Sequence, residues 1–334
     1  MHSIDLSKFS IRTDLIIENN QIDSYDTNKK TIDNITVEKT TSKDKKEEYT
    51  TISFEDVTDK ENFQKVESVF INELKPYVNS LNLKKEDPIL VVGLGNSHST
   101  PDSLGPESIK QTLVTRYLFD IGEVDKNYQN VAAIAPGVTA TTGIETSEML
   151  INLIKATNTK LLIVIDALAA SSINRVNKTI QITNTGIHPG SGVGNNRKEI
   201  SDATINIPVI AIGVPTIVDA ATIVSDAFQY MQKQFSYKLN NYNNKRLKLI
   251  PVADQDYSKE ETNLTDEEKK EILGEIGTLT DEEFKQLIYE VLSPINYNLM
   301  VTPTEIDFTV EKLGLLIGNG INKSLHNHFN PTNN

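Results

Sequence analysis

Two stretches of the chain carry apolar residues almost without a polar break. The first, Ile89-Leu90-Val91-Val92-Gly93-Leu94-Gly95, runs into the loop Asn96-Ser97-His98-Ser99-Thr100-Pro101-Asp102. The second, Leu161-Leu162-Ile163-Val164-Ile165, runs directly into Asp166-Ala167-Leu168. Missing polar alternation marks strands covered on both faces, as in a parallel sheet between helix layers. Around these runs the spacing becomes helical. Val66, Val69, Phe70 and Leu74 predict a helix over 62–81, and further helices are expected over about 103–119, 143–156 and 217–234. Short strands are predicted at 131–134 and 207–212. This rhythm of strand and helix predicts a layered α/β fold, with a mostly parallel central sheet flanked by helices.

The two ends of the chain read differently. Residues 1–60 are polar, with the charged run Lys43-Asp44-Lys45-Lys46-Glu47-Glu48. Asn34-Ile35-Thr36-Val37 alternates before that run, and Tyr49-Thr50-Thr51-Ile52 favours a strand after it. Residues 15–61 are therefore expected to form an extended arm or hairpin, with disorder at its charged tip. Residues 254–270 are acidic and polar, as an insertion in the α/β body of 62–334 would be. Thr280-Asp281-Glu282-Glu283 predicts a capping box before a helix carrying Phe284, Leu287, Ile288, Val291 and Leu292. Thr302-Pro303-Thr304-Glu305 predicts another helix start, with proline in first position. The C-terminal part is thus expected to be helical.

Composition narrows the possible chemistry. A formal net charge of −13 argues against general binding to nucleic acid, which needs a basic face. With no cysteine there is no disulfide, thiol nucleophile or thiolate metal site. No run reaches the ~18 apolar residues of a membrane span, and the first residues lack a signal-peptide pattern, so a soluble cytoplasmic protein is expected. The P-loop, HExxH and GxSxG patterns are absent. Asn184 before Thr185-Gly186 removes the Asp-Thr-Gly signature of pepsin-type proteases.

What remains is a pair of aspartates. Ligands and chemistry gather outside the carboxyl ends of strands in α/β sheets, and Asp102 and Asp166 both fall there. Such a pair can share a proton for acid/base work, hold a metal together with His98 or His188, or simply cap the following turns. Asp102 also reads as a first-turn carboxylate facing a helix dipole. The loop Ile187-His188-Pro189-Gly190-Ser191-Gly192-Val193-Gly194 either lines a site, with backbone N–H groups for an oxyanion, or is a surface loop. Glu145, three residues after Thr142, has capping-box spacing and reads as structural.

Several stretches resemble the spore germination protease family. They are Arg12-Thr13-Asp14-Leu15, Gly93-Leu94-Gly95-Asn96 with Thr100-Pro101-Asp102-Ser103-Leu104-Gly105-Pro106, and Pro136-Gly137-Val138 with Thr142-Gly143-Ile144-Glu145-Thr146. Ile165-Asp166-Ala167-Leu168-Ala169-Ala170, the 186–194 loop, Gly213-Val214-Pro215-Thr216 and Asn298-Leu299-Met300-Val301-Thr302-Pro303 complete the set, in order along nearly the whole chain. The resemblance implies an endopeptidase that degrades small acid-soluble, DNA-coating spore proteins in the spore core during germination. It implies a homotetrameric zymogen that removes its own N-terminal segment, with no cofactor, and a core similar to the hydrogenase maturation proteases. Carried over, the essential aspartates fall on Asp102 and Asp166, and the self-cleavage point falls between Asp14 and Leu15, making 1–14 a propeptide. Ile16 departs from the small residue common after the cut. A metal-dependent protease using Asp102, Asp166 and a histidine is the nearest alternative, and a noncatalytic escort of the spore proteins is the more distant one. The polar surroundings of Asp14-Leu15 predict an accessible bond, and acidification is expected to favour release of the segment.

Overall fold

The computed structural model describes residues 13–18, 25–122, 124–189, 198–241, 264–292 and 299–327. In chain order the elements are β1 (Tyr25–Ile32), β2 (Ile35–Ser42), β3 (Glu48–Ser53), α1 (Lys60–Asn79) and β4 (Ile89–Gly93). Next come α2 (Leu104–Gln111), α3 (Arg116–Ile121), β5 (Val131–Ile134), α4 (Thr139–Thr142), α5 (Thr146–Thr157), β6 (Leu161–Ala170) and β7 (Thr179–Thr183). The chain continues through α6 (Asp202–Ile205), β8 (Val209–Asp219), α7 (Ala220–Asn240), α8 (Asp266–Leu273), α9 (Asp281–Leu292), β9 (Met300–Val301) and α10 (Ile306–Leu325). They fall into two compact units, Arg12–Ile217 with Thr302–Asn334, and a smaller one that includes Val218–Val301.

The larger unit is built on one sheet with strand order β1-β2-β3-β7-β8-β6-β4-β5. Strand β4 pairs in parallel with β5 and β6. The β1–β2, β2–β3, β3–β7 and β7–β8 pairs are antiparallel. The sheet is therefore mixed, which corrects the expectation of a mostly parallel one. Apolar runs report burial on two faces, and they do so irrespective of strand direction. The antiparallel half includes strands with polar alternation, such as Thr179-Ile180-Gln181-Ile182-Thr183, and no local pattern reports strand direction.

Both faces of the central strands are covered, as their sequences require. On β4 and β6, Ile89, Val91, Leu161, Ile163 and Ile165 join a core with Phe70 and Leu74 of α1 and Leu313, Leu316 and Ile317 of α10. The alternate residues Leu90, Val92, Leu162 and Val164 pack on the other side with Leu150 and Ile154 of α5. Helix α10 approaches its neighbours closely through glycines: a Cβ on Gly320 would lie 2.4 Å from Phe70 Cδ1. Phe70 is fully buried. Phe70→Ala is expected to cost roughly 3–5 kcal/mol, read as a lower denaturation midpoint at unchanged slope.

The N-terminal strands belong to this sheet. Glu73 of α1 is buried and takes Lys30 Nζ at 2.6 Å and Lys39 Nζ at 2.7 Å, which ties the β1–β2 hairpin to the helix. Burial opposes ionisation of Glu73, yet the hydrogen bonds from Lys30 and Lys39 outweigh it and hold the carboxyl below the usual range. At the other end, α10 begins at Ile306 with Glu305 as its N-cap and no side-chain cap bond. Pro303 therefore precedes the helix instead of occupying its first turn.

In the smaller unit, Val218 and Asp219 pair antiparallel with β9. Asp219 caps α7 by accepting from Ala221 N at 2.8 Å. Phe228 of α7 stacks on Phe284 of α9, ring centroids 4.2 Å apart. The capping box expected before α9 is present: Thr280 N donates to Glu283 Oε2 and Glu283 N donates to Thr280 Oγ1. Of the acidic stretch at 254–270, residues 254–263 lie outside the described residues, and the remainder opens α8 with a capping box of Thr265 and Glu268.

Candidate active site

The loop after β4 is folded back on itself by its own backbone. Leu94 N donates to Ile165 O at 2.8 Å, which carries the β4–β6 pairing one residue past β4. Gly95 then turns the chain with φ of +106°, a conformation that suits glycine. Asn96 N donates to Asp102 O at 2.9 Å, and Asp102 N donates to Ser99 O at 2.8 Å. Thr216 Oγ1 donates to Pro101 O at 2.6 Å, tying the loop to β8. Asp102 ends a short 3-10 turn, Thr100–Asp102, ahead of α2. A Cβ placed on Gly95 would meet Asp102 O at 2.0 Å and Asp102 Oδ1 at 2.9 Å. The absence of a side chain at 95 is thus what leaves room for this carboxylate.

Asp166 sits inside β6, which continues four residues beyond it to Ala170. The sequence reading ends the strand at Asp166, whereas β6 runs on through Ala167, Leu168, Ala169 and Ala170. Asp166 is 6% exposed, and its Oδ1 accepts from Ala167 N at 3.0 Å. Gly93 pairs with Ile165. Asp166 therefore follows one partner of this pair directly, while Gly95, against which the Asp102 carboxyl lies, follows the other by two residues. The two-residue period of a strand places Leu168 on the same face as Asp166.

Leu168 lines a cleft of about 230 Å³, together with Thr13, Asp14, Tyr49, Gln181, Gly186 and His188 among others. The N-terminal segment lies along this cleft. Asp14 N donates to Ala169 O at 3.1 Å, and Ala169 N donates to Asp14 Oδ2 at 2.9 Å. The Gln181 side chain holds the next stretch: its Nε2 donates to Asp14 O at 3.1 Å, and its Oε1 accepts from Ile16 N at 2.9 Å. One side-chain amide thereby acts as a neighbouring strand would, pairing with the carbonyl before Leu15 and the N–H after it. Leu15 is 1% exposed. The expectation of an accessible Asp14-Leu15 bond is corrected here, because two apolar residues, Leu15 and Ile16, outweigh the polar context and bury the bond. Glu18 completes the anchor, accepting from Ser171 N at 2.7 Å and facing Arg175 Nε at 3.1 Å.

Other candidate residues are placed as follows. His188 is exposed, with Nε2 3.6 Å from Glu199 Oε2. His98 is exposed on the loop before Asp102. Gly190 and Gly192 lie outside the described residues; the loop is closed at its base by the Ile187–Ile200 bridge. Among the described residues no group of three or more histidine and carboxylate side chains is arranged to hold a metal ion. Glu145 accepts from Thr139 Oγ1 at 3.3 Å and makes no capping box with Thr142, which instead ends α4. Gln181, Glu18 and Arg175 are absent from the sequence reading. The one signal for Gln181 is its central place in the alternating Thr179-Ile180-Gln181-Ile182-Thr183.

A model of the germination protease family matches residues 6–334. The germination protease of Bacillus cereus (strain B4264) is 42% identical over 357 residues, covering 99% of this chain and 97% of the relative. That of Geobacillus sp. (strain WCH70) is 43% identical over 363 residues, with 99% and 98% covered. The germination protease of Bacillus mycoides (strain KBAB4) is 42% identical over 357 residues.

Proposed function

The chain belongs to the germination protease family, and from that premise we propose that it is an aspartic endopeptidase made as a zymogen, with Asp102 and Asp166 as its catalytic pair. The two carboxylates share one proton. The ionised member takes a proton from an attacking water, and the protonated member polarises the scissile carbonyl and later protonates the leaving amine. Its substrates are the small acid-soluble proteins that coat spore DNA, cut after an acidic residue and before an apolar one, within the spore core. The working form is a homotetramer whose core follows the hydrogenase maturation proteases. No described helix is long and apolar enough to cross a membrane.

The observation that carries this reading is the seating of Asp14-Leu15 on the strand that bears Asp166. Asp14 pairs with Ala169, three residues past Asp166 and about 10 Å along the strand at its usual rise. A water held by the aspartates cannot reach the bond from there, since proton transfer needs hydrogen-bond contact. The segment is in a resting position, and self-processing requires it to slip along β6. Acid favours that slip, because protonating carboxylates weakens the charge-assisted contacts that seat the segment, such as Ala169 N on Asp14 Oδ2.

Incubation of the full chain at mildly acid pH is expected to give a product whose N-terminal sequence starts at Leu15. A start elsewhere contradicts the assigned cut. Chelator is expected to leave cleavage of a spore-protein substrate unchanged, and loss of activity restored by one divalent ion would move the mechanism to a metal.

A further inference from the structure

Glu18 is a buried carboxylate, its side chain 5% exposed. Its Oε2 accepts from Ser171 N and from the Thr13 hydroxyl. Its Oε1 lies 3.1 Å from Arg175 Nε without the alignment of a hydrogen bond. The same Thr13 hydroxyl accepts from Leu15 N at 3.1 Å. One hydroxyl therefore bridges the Leu15 nitrogen and Glu18, and it belongs to the segment that processing removes.

We propose that Glu18 is the binding site for the α-ammonium of Leu15 after the Asp14–Leu15 bond is cut, so that processing turns a neutral peptide N–H into a buried ion pair. The proposal rests on that cut. Hydrolysis breaks the C–N bond; the hydroxyl of water goes to the Asp14 carbonyl carbon and its proton to the Leu15 nitrogen, and the new carboxyl then gives its own proton to the amine. Asp14 leaves as a carboxylate, and Leu15 gains a positive charge. Thr13 leaves with Asp14 and vacates the place between that charge and Glu18. After the cut Leu15 returns to the seat it holds here, with its side chain buried, Ile16 N on Gln181 Oε1 at 2.9 Å, and Glu18 N on Leu15 O at 3.1 Å.

Among the described residues, the charged and titratable groups beside the new terminus include Arg175, which shares Glu18, and Tyr49 and His188, which line the adjoining cleft; Asp14 departs. Burial without a partner lowers the pKa of an ammonium group, whereas a carboxylate partner raises it. The direction of the shift thus separates an ion pair from simple shielding. A raised value makes the pair's contribution full below the ordinary pKa of the group and lost as pH rises through the shifted one.

The test uses the full chain after self-processing. N-terminal sequencing comes first, then the rate of acylation of the Leu15 amine against pH, read by mass spectrometry on native and urea-unfolded protein. The native midpoint is expected about one unit above the ordinary value of roughly 8, and Glu18→Gln should bring it below that value. A start other than Leu15 overturns the cut and the proposal together. A start at Leu15 with a native midpoint at or below that of the unfolded protein overturns this proposal alone. Should Glu18→Gln fail to fold or to process, the native-against-unfolded comparison of the wild-type protein still decides.

Discussion

Asp166→Asn is expected to abolish both self-processing and substrate cleavage while leaving the fold in place, and Asp102→Asn should do the same. Asparagine has the size of aspartate and keeps a carbonyl oxygen, so at 166 it still accepts from Ala167 N. It loses the charge that accepts a proton from water and the acid that returns one. Loss of a general acid or base costs about 10²–10⁴-fold, and a pair that works as a unit stands at the upper end. Circular dichroism and the melting midpoint report whether the fold survives. Retained binding of a spore protein by the inactive variants speaks for an enzyme; wild-type binding without any turnover would instead mark an escort. Normal cleavage by either variant removes that residue from the mechanism.

Gly95→Ala is expected to reduce kcat/KM by at least ~10²-fold, although residue 95 has no chemical part in the reaction. Its Cβ would lie 2.0 Å from Asp102 O and 2.9 Å from Asp102 Oδ1. Backbone must move to admit it, and the carboxyl of Asp102 moves with the turn. A misplacement of about 1 Å at a reacting group costs on the order of 10²-fold. The left-handed backbone adds strain of roughly 1–2 kcal/mol. Gly143→Ala separates the two effects, since Gly143 has φ of +70° and a Cβ there meets nothing within 4 Å. That variant should lose stability only, seen as a lower melting midpoint with kcat/KM within about twofold of wild type, because its penalty is conformational alone. Equal activity of the two variants would mean that Asp102 does not depend on the shape of this turn.

The sequence makes the central strands legible because Ile89–Gly93 and Leu161–Ile165 are apolar on both faces, and both faces are in fact packed. Helix α1 is legible from Val66, Val69, Phe70 and Leu74, all of them buried. Strand β1 leaves no such trace: Tyr-Asp-Thr-Asn-Lys-Lys-Thr-Ile is an exposed edge strand with nothing to bury. The helix expected over 103–119 breaks into α2 and α3 through tertiary contacts, among them Leu113 N on Asn322 Oδ1 and Thr115 N on Val131 O. Local pattern cannot carry such partners. The same limit applies to the site. Asp102 and Asp166 stand out because each follows an apolar run, Asp166 directly and Asp102 after a short loop. Gln181 and Glu18 gain their roles only through Asp14, Ile16, Ser171 and Arg175, partners that pairing in space supplies.

The central claim is that Asp102 and Asp166 form one catalytic unit for peptide hydrolysis. It is tested most directly by cleavage rates of one spore-protein substrate by wild-type protein, Asp102→Asn, Asp166→Asn and the double variant, all assayed as chains beginning at Leu15. A unit predicts that each single variant falls to the same residual rate and that the double variant falls no further. Losses that multiply in the double variant, or a single variant that keeps cleaving, would contradict it.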